Sequence, residues 1–170
     1  CNNNEDKKYN KNSIKELNDD LILIGRDNYL VELKLVGKKY DCKIVKQLNE
    51  TILDINQLPD KTIIIVTEQK IIRFKKQQEE YIPTNEYLMK KNWKTKRQSV
   101  LFVGESKFNL YYSSNILSNN RMILKTFSIE SGNHFWKDMT GDLFLSKIIL
   151  FDLKNFEEIQ TTELFHLLKI

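Results

Sequence analysis

The sequence predicts an all-β protein in which one four-stranded unit is repeated about every forty residues. Three observations predict this class. Short runs of β-branched, aliphatic and aromatic residues alternate with polar turn residues, as in β-hairpins. These runs recur as similar segments at regular spacing along the chain. The composition, 41% hydrophobic and 29% charged over 170 residues, is that of a folded protein with enough length for one core.

The repeat is visible in four segments that start at residues 21, 63, 100 and 143. Segments 21–33 and 100–112 align without a gap: four apolar residues, a glycine, a polar turn and a second apolar run. Segment 63–74 follows this plan with Thr67 at the glycine place and a turn one residue shorter, and segment 143–153 is shortened at its turn. Each segment is predicted to form a hairpin.

Further strands are predicted around these hairpins. Residues 51–58 precede the second hairpin across a Pro-Asp turn, and residues 43–47 follow the first hairpin as an outer strand. The first run of each hairpin is apolar on both faces, which predicts that neighbouring sheets cover it on both sides. The order inner strand, two central strands and outer strand defines one blade of about forty residues.

The stretches between these strands are predicted to be irregular. Residues 79–98 have no clean period, and residues 85–94 are compatible with a short helix or an inserted loop. Residues 113–120 are rich in turn formers, and residues 128–142 read as a long loop. Long loops on a repeat scaffold are frequent places for binding residues.

Near the C-terminus the sequence resembles the WD40 family. Residues 147–155, KIILFDLKN, resemble the third strand of a WD40 blade, with Phe151-Asp152 where the family has Trp-Asp. Residues 156–161 resemble its outer strand, and residues 164–170 resemble the inner strand of another blade. The resemblance spans roughly residues 17–170 and implies a β-propeller-like fold, as a partial or open array, with protein binding as its function. Another β-sandwich or barrel, or a mixed α/β domain, are the alternatives.

The N-terminal region has a different composition. Residues 1–16 are polar and rich in Asn and Lys, which predicts a disordered segment before a repeat domain over residues 17–170. Two interpretations of Cys1 remain open. In one, the chain is a piece of a larger, cytoplasmic propeller; in the other, Cys1 is the acylated first residue of a bacterial surface lipoprotein with an exported β domain. Cys42 is expected to be buried or half-buried.

The sequence offers no pattern typical of an active site. Its two cysteines and two histidines lack the spacing of a zinc site, and no nucleophile elbow, P-loop or dinucleotide-binding motif is present. The net charge of +4 is small, and the local excess of Lys and Arg between residues 90 and 97 is better explained as a solvated loop than as a nucleic-acid site. We therefore expect no enzyme, cofactor or metal, and no specific nucleic acid.

Aromatic residues in the irregular segments are the candidate binding residues. They are accompanied by basic or imidazole side chains, a composition common in protein-binding hot spots. The alternative is that these rings close over the hairpin ends as part of the core. The predicted set, for a protein or peptide partner, is Trp93, Arg97, His134, Phe135 and Trp136.

Overall fold

A computed structural model describes residues 13–90, 111–118, 120–130 and 142–163 of the chain. These residues form twelve β-strands in three four-stranded antiparallel sheets, and no α-helix occurs among them. The expected all-β class is confirmed. The chain divides after Met89 into two compact units, the first holding sheets 1 and 2 and the second holding sheet 3.

Each sheet is a meander whose strands follow one another in space as they do in sequence. Sheet 1 consists of β1 (Ile14–Asn18), β2 (Leu21–Arg26), β3 (Tyr29–Val36) and β4 (Lys39–Gln47). Sheet 2 consists of β5 (Ile52–Gln57), β6 (Ile63–Thr67), β7 (Lys70–Gln77) and β8 (Glu80–Leu88). Sheet 3 consists of β9 (Tyr111–Leu117), β10 (Arg121–Glu130), β11 (Asp142–Asp152) and β12 (Glu157–Glu163).

Sheet 2 reproduces sheet 1 with a shift of 41 residues. In sheet 1 the Leu48 amide donates to the Asn28 carbonyl at 2.8 Å, and in sheet 2 the Met89 amide donates to the Gln69 carbonyl at 2.7 Å. Both bonds attach the end of the outer strand to the turn between the two central strands. The two sheets are therefore two copies of one unit, as the repeat predicts.

The strand register corrects one detail of the predicted repeat. Gly25 pairs with Leu30 in sheet 1, and Val66 pairs with Ile71 in sheet 2. The central turn therefore has the same length in both sheets, and Val66 rather than Thr67 occupies the glycine position. The repeat was predicted by aligning the first apolar residue of each segment, residue 21 with residue 63. This alignment differs by one residue from the shift of 41 that the strand pairing shows.

Sheets 1 and 2 pack face to face around the core of the first unit. The face of sheet 1 that packs on sheet 2 is called its back face, and the face of sheet 2 in this contact is called its front face. The back face of sheet 1 contributes Leu23 and Leu30, both fully buried. The front face of sheet 2 lies against it and contributes a set of residues that are at most 5% exposed: Ile55, Ile63, Ile65, Ile72, Phe74 and Tyr81. The prediction that a sheet covers the apolar central strands is confirmed for this pair of faces.

A buried polar cluster lies within the same contact. The Glu32 carboxylate of sheet 1 accepts a hydrogen bond from the Lys76 ammonium at 2.7 Å and one from the Tyr81 hydroxyl at 3.0 Å. Burial, and then the nearby Glu32 charge, raise the pKa of Tyr81. Because buried carboxylates are costly without partners, these two bonds are required for Glu32 to lie in the interface.

Sheet 3 is organised in the same way, but its central strands differ from the prediction. Residues 143–152 lie within the single strand β11 and Leu153 follows its end, so this segment is not a hairpin. Thr126 pairs with Lys147 and Phe127 pairs with Leu145, so Ser146 is the extra residue of a β-bulge. The polar residues at Ser146, which the sequence analysis interpreted as a turn, thus form a bulge. Gly, Asn and Asp, the residues that favour tight hairpin turns, are absent there.

Other boundaries also differ from the prediction. β8 covers residues 80–88 and β9 covers most of residues 113–120, both expected to be irregular, and no helix occurs at residues 85–90. Both segments form edge strands of their sheets and carry many polar side chains, so apolar periodicity is weak there. The strands expected at residues 43–47, 51–58 and 156–161 are confirmed. Cys42, expected to be at least half-buried, is exposed on β4. Residues 164–170 and most of segment 100–112 lie outside the described residues.

The pattern of β7 recurs in β11. Lys70 to Lys75 reads KIIRFK and Lys147 to Asp152 reads KIILFD, a shift of 77 residues. The second Ile and the Phe are buried in both strands, as Ile72 with Phe74 and as Ile149 with Phe151. Met122 and Leu124 pair with Phe151 and Ile149 on this face and are fully buried. Sheet 3 therefore has a front face equivalent to that of sheet 2.

Candidate functional site

A cleft of about 130 Å³ opens at one end of the contact between sheets 1 and 2. Three separate segments form it: the end of β4 with the loop to β5, the β6–β7 turn with the first half of β7, and the middle of β8. Its lining residues are Lys46, Gln47, Leu48, Asn49, Glu50, Thr67, Lys70, Ile72, Phe74, Pro83 and Glu86.

The β4–β5 loop is held in place by hydrogen bonds to the β2–β3 turn. The Asn28 side-chain amide donates to the Leu48 carbonyl at 2.8 Å, and the Ile52 amide donates to the Asp27 carbonyl at 2.6 Å. Asp27 adopts a positive φ of 51°, which Asp tolerates better than most residues. The wall of the cleft is therefore a fixed loop rather than a loose one.

The β6–β7 turn is fixed by the carboxylate of Glu50. The Thr67 hydroxyl donates to this carboxylate, and the Gln69 amide donates to it at 3.3 Å. The Thr67 hydroxyl also accepts the Lys70 amide at 2.9 Å. These bonds join the loop of one sheet to the turn of the next and satisfy turn amides that would otherwise need water.

A salt bridge spans the opposite rim of the cleft. The Lys70 ammonium donates to the Glu86 carboxylate at 3.1 Å, and both side chains are partly exposed. The hydrogen bond with Glu86 raises the pKa of Lys70. An exposed pair of this kind contributes little to stability. Its effect at the rim is to hold the Lys70 and Glu86 charges in fixed positions beside the cleft.

The chemistry of the cleft is an apolar floor with charges of both signs around it. Ile72 and Phe74 form the floor and are almost fully buried, while Lys46, Glu50 and Glu86 lie at the rim. Drug-sized ligands and cofactors occupy pockets of roughly 300 Å³ or more, well above the size of this cleft. One apolar or aromatic side chain with polar groups beside it is the ligand that fits.

The strands beside the cleft are protected against pairing with another strand. β4 carries Lys39, Lys43 and Lys46, and β8 carries Pro83, which has no amide hydrogen to donate. Lysine and proline on edge strands prevent edge-to-edge association. A ligand is therefore more readily held by side chains in the cleft than by extension of either sheet.

The residues predicted from sequence to bind a partner cannot be compared with this cleft. Trp93, Arg97, His134, Phe135 and Trp136 lie outside the described residues, as does Cys1. The cleft itself could not be predicted from the sequence, because its residues come from separate segments of the chain and form no local motif.

Two other kinds of site are not found in the described part of the chain. No group of three or more His, Cys, Asp or Glu residues lies close enough there to hold a metal ion. No helix there has the length and apolar character needed to cross a bilayer.

The sequence matches no family model, and neither a curated protein nor a solved structure matches it at a significant level. Function is therefore inferred from the geometry of the described residues.

Proposed function

We propose that this protein is a non-catalytic binding module, a propeller-like array of four-stranded blades that holds a segment of a protein partner. The observation that carries the proposal is the cleft between sheets 1 and 2, with its apolar floor and its fixed, charged rim. The packing of the front face of one repeat on the back face of the preceding one supports a propeller-like arrangement, since blades stack in this way.

The size and chemistry of the cleft favour a peptide side chain as the ligand. An apolar side chain inserted over Phe74 loses contact with water, and the rim charges can contact the peptide groups on either side. The hydrogen bonds of Glu50 to the β6–β7 turn hold the site in shape before the ligand arrives, which reduces the entropic cost of binding.

A phage-displayed library of random peptides tests the proposal. We expect selection on the full chain to enrich peptides with one large apolar residue next to charged ones. Filling the cleft by Pro83→Trp should weaken their binding by about tenfold or more, since a bulky side chain occupies the ligand's place. The matched control is Ile82→Trp, the adjacent residue of β8 on the opposite face, which is 36% exposed.

The outcomes separate cleanly. Peptides that bind wild type and Ile82→Trp equally, but not Pro83→Trp, support the cleft as the binding site. Failure to enrich any peptide, or equal binding to both variants, overturns the proposal. Far-UV circular dichroism of both variants verifies that the β-sheet content is unchanged.

A further inference from the structure

The carboxylates at the rim of the cleft already have partners within the protein. The Glu50 carboxylate accepts hydrogen bonds from the Thr67 hydroxyl and the Gln69 amide. The Glu86 carboxylate pairs with the Lys70 ammonium at 3.1 Å. Both acids, and one of the two lysines that line the cleft, are therefore engaged before a ligand arrives.

The side chain of Lys46, the other lysine of the cleft, differs from these groups. It is half-buried, and no hydrogen bond or ion pair joins its ammonium to another residue in the described part of the chain. The exposed side chain of Asn49 lines the same cleft and likewise makes no hydrogen bond to a residue that the structure describes. The charge that remains available to a ligand is therefore positive, and amide donors lie on the same cleft.

Asn49 has an equivalent in the next copy of the repeat. It follows Leu48, whose amide bonds to the turn between the two central strands of sheet 1. Met89 makes the same bond in sheet 2, and Lys90 follows it. Lys90 is thus the equivalent of Asn49.

Pro83, which lies on the other side of the cleft, also has an equivalent. Pro83 is the cross-strand partner of Phe74 in sheet 2, and Glu158 is the cross-strand partner of Phe151 in sheet 3. In both sheets the register of the outer ladder shifts immediately before the Phe, which is almost fully buried. Glu158 is thus the equivalent of Pro83.

In the second compact unit these two equivalent residues form an ion pair. The Lys90 ammonium lies 2.7 Å from the Glu158 carboxylate, whose side chain is only 11% exposed. The Thr161 hydroxyl donates a further hydrogen bond to this carboxylate at 2.7 Å. The cleft has Asn49 and Pro83 at these positions, so it lacks the carboxylate that the second unit provides from its own chain.

We propose that the segment held in the cleft is acidic, with an Asp or Glu side chain next to its apolar residue. This inference rests on the proposed function and names the class of peptide that the cleft selects. The carboxylate of the ligand supplies the group that Glu158 supplies in the second unit, and Lys46 and Asn49 are its donors. A carboxylate beside an apolar floor is costly without donors, and a hydrogen bond from an ammonium is among the stronger ones. Lys46 therefore determines specificity, whereas the floor at Phe74 buries the apolar side chain.

Fluorescence anisotropy with two pools of synthetic peptides tests the proposal on the full chain. Every peptide has a central Phe, Leu or Trp, flanked by Asp or Glu in the acidic pool and by Asn or Gln in the amide pool. A neutral label at the N-terminus and an amide at the C-terminus leave side chains as the source of any carboxylate. We expect the acidic pool to bind wild type about tenfold more tightly at low salt, and the preference to shrink as salt is added.

Substitutions of Lys46 assign the preference to one side chain. Lys46→Gln should lower the affinity for the acidic pool to that for the amide pool. Lys46→Glu should give a preference for a third pool, in which Lys or Arg flanks the apolar residue. The matched control is Lys39→Gln, which removes the same charge at the other end of β4 and should keep the preference of wild type.

A pair of variants at Pro83 tests the comparison with the second unit. Pro83→Glu places a carboxylate at the position of Glu158, and Pro83→Gln places a neutral side chain of the same size there. Pro83→Glu should weaken binding of the acidic pool about tenfold more than Pro83→Gln does, because its carboxylate occupies Lys46 and repels the ligand. Equal weakening by the two variants would contradict the proposed role of a carboxylate in the cleft.

The outcomes for this inference and for the proposed function are distinct. The acidic specificity is overturned if wild type binds the amide or basic pool as tightly as the acidic pool. It is also overturned if folded Lys46→Gln keeps the preference, or if Lys39→Gln loses it. Binding of none of the pools, or binding that folded Pro83→Trp does not weaken, overturns the proposed function and this inference with it. Far-UV circular dichroism verifies that each variant is folded.

Discussion

Sheets 1 and 2 have the same pairing of their two central strands but different surroundings. Tyr40 and Tyr81 occupy the same position of the repeat, yet Tyr40 is 51% exposed and Tyr81 is 1% exposed. Leu33 and Phe74 form another such pair, half-buried in sheet 1 and fully buried in sheet 2. The difference arises because the back face of sheet 1 covers the front face of sheet 2 at these positions.

Strand pairing in these sheets is determined within each repeat, whereas burial is determined by the neighbouring sheet. The strand pairing and the bond from the outer strand to the central turn are local, and both sheets have them. Burial is not local, because it depends on the sheet that packs above. Equivalent substitutions in the two sheets should therefore have unequal effects on stability.

The largest inequality is expected for the Phe74 and Leu33 pair. Phe74→Ala should lower the free energy of unfolding by about 3–5 kcal/mol, because it leaves a cavity in the core. Leu33→Ala should cost about 1 kcal/mol, because the side chain is already half in water. Urea unfolding followed by circular dichroism measures both. Equal costs would contradict the difference in packing between the two sheets.

The glycine position comes next. A Cβ at Gly25 would lie 2.5 Å from Ile52 Cγ2 and 2.9 Å from Ile52 Cβ, so the start of β5 would have to move. Gly25→Ala should therefore destabilise by about 1–3 kcal/mol. Val66, the equivalent residue in sheet 2, carries a side chain at this position.

Gly37→Ala is the control for this substitution. Gly37 has a φ of 66°, and nothing lies within 4 Å of its Cβ position. Its replacement should cost about 1 kcal/mol from backbone strain alone. Thermal unfolding compares the two variants, and an alanine at residue 25 tolerated as well as one at residue 37 would show that β5 is not in close contact there.

The sequence predicted the β class, the hairpins of sheets 1 and 2 and several outer and inner strands, because these follow from local alternation and turn residues. It placed a turn at Ser146, since a polar residue inside an apolar run can mark either a turn or a bulge. The cleft and the Glu32 cluster could not be predicted, because they depend on contacts between residues distant in sequence. The difference in burial between Tyr81 and Tyr40 could not be predicted for the same reason.

A smaller effect is expected at the tyrosines themselves. Tyr81→Phe removes the hydrogen bond to the Glu32 carboxylate and should cost about 1–2 kcal/mol. Tyr40→Phe should change stability by less than about 0.5 kcal/mol, because its hydroxyl is on an exposed ring. Urea unfolding of both variants at neutral pH measures the difference, and comparable costs would mean that the hydroxyl in the cluster contributes nothing.

The pH dependence gives a second readout of the same contact. Burial first, and Glu32 second, raise the pKa of Tyr81 above its ordinary value of 10.0. The unfolded chain therefore loses this proton at lower pH than the folded chain does. Stability from this group is fully present below pH 10 and is lost as pH rises above it. Tyr81→Phe should flatten this alkaline loss, and Tyr40→Phe should leave it unchanged.

The smallest effect is expected at the turn between the first two strands of each sheet. In sheet 2 the Asp60 carboxylate accepts the Thr62 amide at 3.0 Å, and in sheet 1 the neutral Asn18 side chain accepts the Asp20 amide at 3.0 Å. Hydrogen bonds from Thr62, chiefly its side chain, lower the pKa of Asp60 below its ordinary value of 3.8. Acid should therefore weaken the turn of sheet 2 through Asp60.

The sign follows from the lowered pKa. The carboxylate stabilises the fold above pH 3.8, and this contribution is lost as pH falls through the lower pKa of the folded state. Because Asp60 is exposed, the loss should not exceed about 0.5 kcal/mol. Asp60→Asn should remove this part of the acid sensitivity, and Asn18→Asp should introduce it in sheet 1. Hydrogen exchange of the β2 and β6 amides between about pH 3 and 5 assigns the change to one sheet or the other. An acid response that is the same in wild type and Asp60→Asn would mean that the Asp60 carboxylate does not contribute to it.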